Sequence, residues 1–366
     1  MVGTGLDPRW ASAPGATIES ALSERGLSRS DFAKLTGLQN DEVQSLLAGD
    51  LRITVDFARR LAKVVGASAT FWLTRDAQYL EDRARVEADR WSQRLPIAQM
   101  ASFGWVAKPK TWQERISLSL DFFGVADVQT WKTRYDRQVA ATHYRTSPSF
   151  DLESPATTVW FRAAERVVDA RAEIAEFDRD GFASALAAAR HMTRQRDPEN
   201  FIPALVSTGA AHGVHIVVVR APSGCTASGA SRIYSGRPLI QLSARYLTDD
   251  HFWFTFFHEA GHVISHPLDR GFIDILEAED DDKFEQEAND FSTECLLGPD
   301  GARLCQSGRH RWSHRDVVRE AAHLGVAPGV LVGQLQHAGV VSKNHLNRLK
   351  RRYAWEGVRL VAADAR

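Results

Sequence analysis

The chain has 366 residues, 44% hydrophobic and 25% charged, which allows two or three domains with buried cores and excludes a wholly disordered polymer. Its 45 Lys and Arg are offset by 46 Asp and Glu, and the net charge of −1 excludes attachment to nucleic acid or anionic lipid by bulk charge alone. No apolar run approaches the roughly 20 residues that span a bilayer. MVGTGLDPRW shows no signal pattern, and three widely spaced cysteines (Cys225, Cys295, Cys305) suit a reducing, cytoplasmic setting with no disulfide framework.

Residues 1–15, rich in Gly, Pro, Ala and Ser, read as a flexible tail. Residues 16–85 read as short helices separated by glycine. Ile18 and Leu22 precede Gly26; Phe32, Ala33 and Leu35 precede Gly37; Val43, Leu46 and Leu47 precede Gly49; Phe57, Leu61 and Val64 precede Gly66. Within this set, residues 30–36, a Gly37-Leu38-Gln39 turn and residues 40–48 have the spacing of a DNA-reading helix-turn-helix, with Ser30 and Asn40 as expected N-caps. Gln39, Asn40, Asp41, Glu42, Gln44 and Ser45 are the groove-facing candidates. Arg52, with Arg29, Lys34, Arg59 and Arg60, supplies the basic side, yet residues 18–80 hold eight basic and eight acidic side chains. That is a weak phosphate footprint, and a helical protein–protein module is the competing reading.

Residues 86–200 read as a helical connector, with helical periodicity in FRAAERVVDARAEIAEF and FASALAAARHMTRQ. From 201 to 366 the texture changes. HIVVVRA, ASRIY, PLIQLSARY and FIDILEAE read as strands interleaved with longer helices, giving an α+β, predominantly helical protein with a small mixed sheet and a C-terminal helical segment.

The sharpest motif is His258-Glu259-Ala260-Gly261-His262. On a helix, positions four apart share a face, so both imidazoles can reach one Zn²⁺. Glu259 falls off that axis, where it can act as general base on a water. A third ligand is expected from FEQEANDF: Glu285 and Asn289 share a face, with Glu285 aimed at the metal and Asn289 hydrogen-bonded to a ligand imidazole. Glu287 is the competing ligand. His266, eight residues beyond His258, is expected to sit at the helix C-terminus, favoured there by the dipole and too distant for the same ion. The acidic run 277–282 reads as a solvated loop rather than a calcium site. His310, His314, Tyr234 and Tyr246 are unranked candidates for stabilising an oxyanion. Residues 226–233 are expected to offer a strand edge to substrate, with Gly229 allowing close backbone approach. Cys225 reads as a small buried hydrophobe.

A family resemblance follows from these residues. GLSRSDFAKLTGL, LLAGDLRITVDFARRLAKVVG and SATFWL resemble the XRE-type helix-turn-helix of HigA-like antitoxins, a five-helix-type domain, although Asp41 and Glu42 make the recognition helix acidic. LIQLSARYLTDDHFWFTFFHEAGHVISH and EQEANDFSTECLL resemble the ImmA/IrrE metallo-endopeptidases. The resemblance implies a gluzincin-like site with one Zn²⁺ held by His258, His262 and Glu285, and Glu259 as base. It also implies a cytoplasmic regulator that cleaves or relieves a repressor protein in a stress, mobile-element or toxin–antitoxin circuit. Its partners would be that repressor, DNA, a partner toxin and a second copy in a homodimer, with no membrane. Two non-proteolytic alternatives stand beside it: a DNA-binding regulator whose metal domain is a sensor, and an antitoxin that acts by binding.

Overall fold

The computed structural model describes residues 10–142, 155–266, 272–274, 283–306 and 312–363, with only the backbone considered at 136–142, 272–274 and 306. His310, the acidic run 277–282 and the first nine residues of the tail lie outside the described residues. The chain divides into two compact units: Met1–Arg94 with Lys110–Ser117, and Leu95–Pro109 with Leu118–Arg366.

The first unit opens with α1 (Pro14–Glu24), α2 (Arg29–Thr36), α3 (Asn40–Ala48), α4 (Val55–Val65) and the 26-residue α5 (Ala69–Arg94). Their apolar stripes meet in a core of Ile18, Leu22, Phe32, Val43, Leu46, Phe57, Leu61 and Trp72, the i, i+3/i+4 positions of the sequence pattern. Gly37 and Gly49 end α2 and α3 in the left-handed conformation, at φ 75° and 84°. Both expected N-caps move by one or two residues. Ser28 caps α2, because Asp31 returns a carboxylate to the Ser28 amide while the Ser28 hydroxyl accepts from the Asp31 amide, leaving Ser30 in the first turn. Gln39 precedes α3, its amide donating to the Glu42 carboxylate at 2.8 Å, so Asn40 is the first helical residue.

The chain continues through α6 (Ile97–Ser102), α7 (Trp112–Phe123), α8 (Val128–Thr142), α9 (Pro155–Asp169), α10 (Arg179–Met192) and α11 (Pro198–Ala211). The helix expected over FRAAERVVDARAEIAEF ends at Asp169; beyond it, the amides of Ala175 and Asp178 donate to carbonyls at Ala210 and His212, so residues 172–178 run extended along the end of α11.

The sheet of the second unit joins β1 (His215–Val218), β2 (Gly229–Tyr234), β3 (Arg237–Leu242) and, after α12 (Asp249–Ser265), β4 (Phe272–Asp274), in the order β1-β3-β2-β4. β1 lies parallel to β3, while β2 is antiparallel to both β3 and β4. Ser235 and Gly236, at φ 51° and 77°, make the two-residue turn whose twist suits the β2–β3 hairpin. The strand expected over PLIQLSARY stops at Leu242, since Ala244 and Leu247 adopt positive φ and end the ladder. α13 (Lys283–Gln306) is broken at Gly298 (φ 67°), before Pro299; α14 (His314–Leu324) and α15 (Pro328–His337) follow. After α15 comes a short 3-10 turn at Asn347–Leu349, and β5 (Tyr353–Glu356) pairs with β6 (Arg359–Ala362) in a closing hairpin. No helix among the described residues is long and apolar enough to cross a membrane.

Two buried polar networks hold this unit together. Glu165 on α9, fully buried, meets Arg232 on β2 at 3.4 Å and Arg162 at 3.3 Å, and Arg232 donates to Gln241 on β3. At the start of α12, Asp249 accepts from the Arg351 amide at 3.0 Å and Asp250 pairs with Lys350 at 2.6 Å, so the end of the chain is fastened to the helix that carries the HExxH motif. Burial and the neighbouring Asp250 raise the Asp249 carboxyl to about 7.

Candidate metal centre

α12 is buried on nearly every face, because its FWFTFF run packs beneath the sheet and against the helices that follow. Helical spacing brings His258 and His262 side by side, with their Nε2 atoms 3.1 Å apart. α13 crosses α12 closely. A Cβ at Gly261 would stand 3.1 Å from Phe291 Cδ1 and 3.3 Å from Ala288 Cα, so the glycine within the motif lets the second helix come near. Ser292 locks the crossing by donating to the Phe254 carbonyl at 3.0 Å.

That approach delivers Glu285. Its carboxylate oxygens lie 3.1 Å from His258 Nε2 and 3.5 Å from His262 Nε2, and the three ligand atoms fall within 4.8 Å of one another. Asn289, one turn further on α13, places Oδ1 2.9 Å from His258 Nδ1. An amide oxygen only accepts, so His258 carries its proton on Nδ1 and turns an Nε2 lone pair toward Glu285. Burial lowers the His262 pKa to about 4, leaving that ring neutral near pH 7. Two buried imidazole Nε2 atoms and a partly buried carboxylate therefore converge on one point, the ligand set of a divalent cation with nitrogen and oxygen donors.

Glu259 is fully buried, next to the ligands on α12, and its carboxylate lies against β2. A Cβ at Gly229 would come within 2.5 Å of Glu259 Oε1 and 2.6 Å of Thr255 Cγ2. The absent side chain expected to admit substrate thus makes room for Glu259 instead. The expected free edge at 226–233 is also corrected: β4 pairs with residues 229–231, so the outer strand there is β4.

Glu287 lies 3.0 Å from His266 Nε2, and His266 Nδ1 lies 2.9 Å from His262 Nδ1. His266 lies at the C-terminal end of α12 as expected, and its turn into extended backbone (φ −122°, ψ 152°) brings it to His262 and Glu287, a link that helical spacing does not show. The Tyr234 hydroxyl donates to Asp169 at 2.7 Å, Tyr246 stacks on His251, and His314 is exposed at the start of α14. Cys225 is buried. On the first unit, Gln39, Asn40, Gln44 and Ser45 are all exposed around α3. Of the basic side chains, Arg52 donates to buried Asp76 at 2.9 Å, Arg60 to the Thr36 carbonyl at 2.7 Å and Arg59 to Asp56 at 3.1 Å, while Arg29 pairs with Glu19.

Residues 211–335 match the family model of the IrrE N-terminal-like domain, Peptidase_M78. The matched segment runs from the end of α11 into α15 and contains the His258, His262 and Glu285 cluster, and the match suggests a metallopeptidase of the ImmA/IrrE type. The match includes none of residues 18–80. No curated protein and no solved structure matches the chain.

Proposed function

We propose that the second unit is a zinc-dependent endopeptidase whose substrate is a repressor protein. What carries the reading is the convergence of two Nε2 lone pairs and the Glu285 carboxylate, with a separate buried carboxylate, Glu259, on the same helix. Zinc fits this donor set, and when bound it supplies Lewis acidity to a peptide carbonyl and acidifies a neighbouring water. The chain's own work is proton traffic and orientation. Glu259 accepts the proton of the attacking water and passes it to the leaving amine. Asn289 holds the His258 ring, and the Gly229 gap fixes where the Glu259 carboxylate can lie. The peptidase-family match at residues 211–335 supports protein as the substrate class.

A second activity is supported by the exposed polar row on α3, set between two glycine-capped helices: α2 and α3 read a DNA groove through Gln39, Asn40, Gln44 and Ser45, with Arg52 at the edge. In this reading the first unit brings the peptidase to a DNA-bound repressor, as a homodimer on two half-sites, within a stress, mobile-element or toxin–antitoxin circuit. The test is to measure metal content of the purified chain and incubate it with candidate repressors, beside Glu259→Gln. Cleavage by the native chain alone, at equal zinc content, is the expected result; full biological activity in Glu259→Gln would favour a sensor or antitoxin that acts by binding.

A further inference from the structure

His258 and His262 are the two imidazoles of the candidate centre, yet they are braced differently. His258 is held from Nδ1 by the Asn289 side chain at 2.9 Å. His262 has another imidazole in the corresponding place: its Nδ1 lies 2.9 Å from His266 Nδ1. His266 is 3% exposed, meets the Phe284 ring edge-on at 4.7 Å, and its Nε2 lies 3.0 Å from Glu287 Oε2. Glu287 in turn pairs with Lys283 at 3.3 Å.

With both rings neutral, hydrogen-bond chemistry leaves one tautomer pattern for this row. A carboxylate only accepts, so His266 Nε2 carries a proton and donates it to Glu287. A neutral His266 then has a bare Nδ1, which must accept from His262, so His262 is protonated at Nδ1. That leaves the His262 Nε2 lone pair facing His258 and Glu285, 3.1 and 3.5 Å away. The alternative His262 tautomer would set two bare Nδ1 atoms against each other at 2.9 Å and aim an N–H at the metal position.

We infer that His266 and Glu287 are positioning residues that fix the tautomer and ring orientation of His262 for metal binding, the inference resting on the zinc reading of the site. α13 thereby grips His262 on both edges, through Glu285 at Nε2 and through Glu287 and His266 at Nδ1. The two glutamates of FEQEANDF divide the labour: one faces the metal position and the other acts through an imidazole. Partners of this kind are worth about 10–100-fold in metal affinity.

The test compares His266→Phe, which keeps a ring against Phe284 but offers no acceptor, with His266→Asn, whose amide can accept near the Nδ1 position. Glu287→Gln is the third variant. In the metal-free full-length chain, ¹⁵N ring spectra should report His262 protonated at Nδ1 and His266 at Nε2; His266→Phe should lose the first signature and His266→Asn should keep it. In zinc competition against a fluorescent chelator, His266→Phe should bind about 10–100-fold more weakly, His266→Asn within a few fold of the native chain, and Glu287→Gln between them. Zinc affinity and His262 tautomer both unchanged in folded His266→Phe would overturn the inference. If the native chain takes up no zinc, the zinc reading fails by itself, and the tautomers of the metal-free chain still decide whether the relay exists.

Discussion

The two units carry their polar side chains in opposite ways. Around α12 and α13, polar atoms are buried and converge: the ligand atoms lie within 4.8 Å of one another, and each imidazole is held from its far edge. Around α2 and α3, the polar residues are exposed and diverge, and most of the nearby arginines are taken up by Glu19, Asp56, Asp76 or a backbone carbonyl. Burying a cluster of polar atoms costs solvation that a bound cation can return, so its geometry narrows the ligands it can take. An exposed polar row costs almost nothing and is compatible with a groove, a partner or water. The chemistry of the second unit is therefore far more constrained by its own physics than that of the first.

The largest expected effect exploits the separation between ligands and base on α12. Glu259→Gln keeps the shape of the side chain and leaves His258, His262 and Glu285 in place, but removes the proton acceptor. Peptide cleavage should fall by about 10²–10⁴-fold, with zinc stoichiometry unchanged by elemental analysis. Loss of zinc together with activity would mean that Glu259 belongs to the ligand set and that the division of roles along the helix is wrong.

The contrast in burial also predicts a pH dependence. Asp249 in the second unit has its carboxyl raised to about 7 by burial and by Asp250, against 3.8 in an unfolded chain. Between those values the native state holds a proton that the unfolded state has released. The stabilisation is full below about pH 4 and is lost as pH rises through about 7. Asp249→Asn keeps an oxygen to accept from the Arg351 and Asp250 amides. It should therefore raise stability above pH 7 by up to about 4 kcal/mol and leave little difference near pH 4. Denaturant unfolding of both chains across that range checks the sign, and a gap that shrinks with rising pH would contradict it.

Much of the site was legible because it depends on short-range helical geometry. Four-residue spacing alone pairs His258 with His262, and Glu285 with Asn289, and the glycine stops of α2 and α3 follow from single residues. What was not legible is where the chain leaves a helix and what covers it from afar. His266 sits at the helix end, as its place in the sequence suggests, but its contacts with His262 and Glu287 depend on the extended turn beyond Ser265, which helical spacing does not show. Gly229 signals a close approach, but nothing in its neighbours says that the approaching group is Glu259, thirty residues on. The sequence suggests a free edge at residues 226–233 because the three-residue strand after α12 carries too little pattern to announce that it pairs there.

Gly229→Ala tests that long-range contact with a single methyl group. Thr255 and a fully buried Glu259 both crowd the new Cβ, so the carboxylate must shift, while no atom of His258, His262 or Glu285 is among those nearest the added methyl. A misplacement of this order should lower kcat about 10²-fold with zinc affinity nearly unchanged. If zinc affinity drops as much as kcat, α12 has moved as a body and the gap serves packing rather than the base.

The smallest effect concerns α3, where the comparison is easiest to break. If α3 reads a groove, Gln44→Ala removes one base-edge contact from an exposed position with no core role, costing about 1–3 kcal/mol at one base pair. The fall should be confined to operators carrying the preferred base, leaving the salt dependence of binding unchanged, because a glutamine contact releases no counterion. Arg52→Ala should behave differently. Its Nε is already committed to Asp76, which is 4% exposed, so the change strands a buried carboxylate and lowers the stability of the first unit. Fluorescence anisotropy on matched and single-substituted duplexes at two salt concentrations separates these outcomes. An equal loss for every duplex in Gln44→Ala would place the side chain against the sugar–phosphate backbone, and failure of the native chain to bind any duplex would make the first unit a protein-docking module.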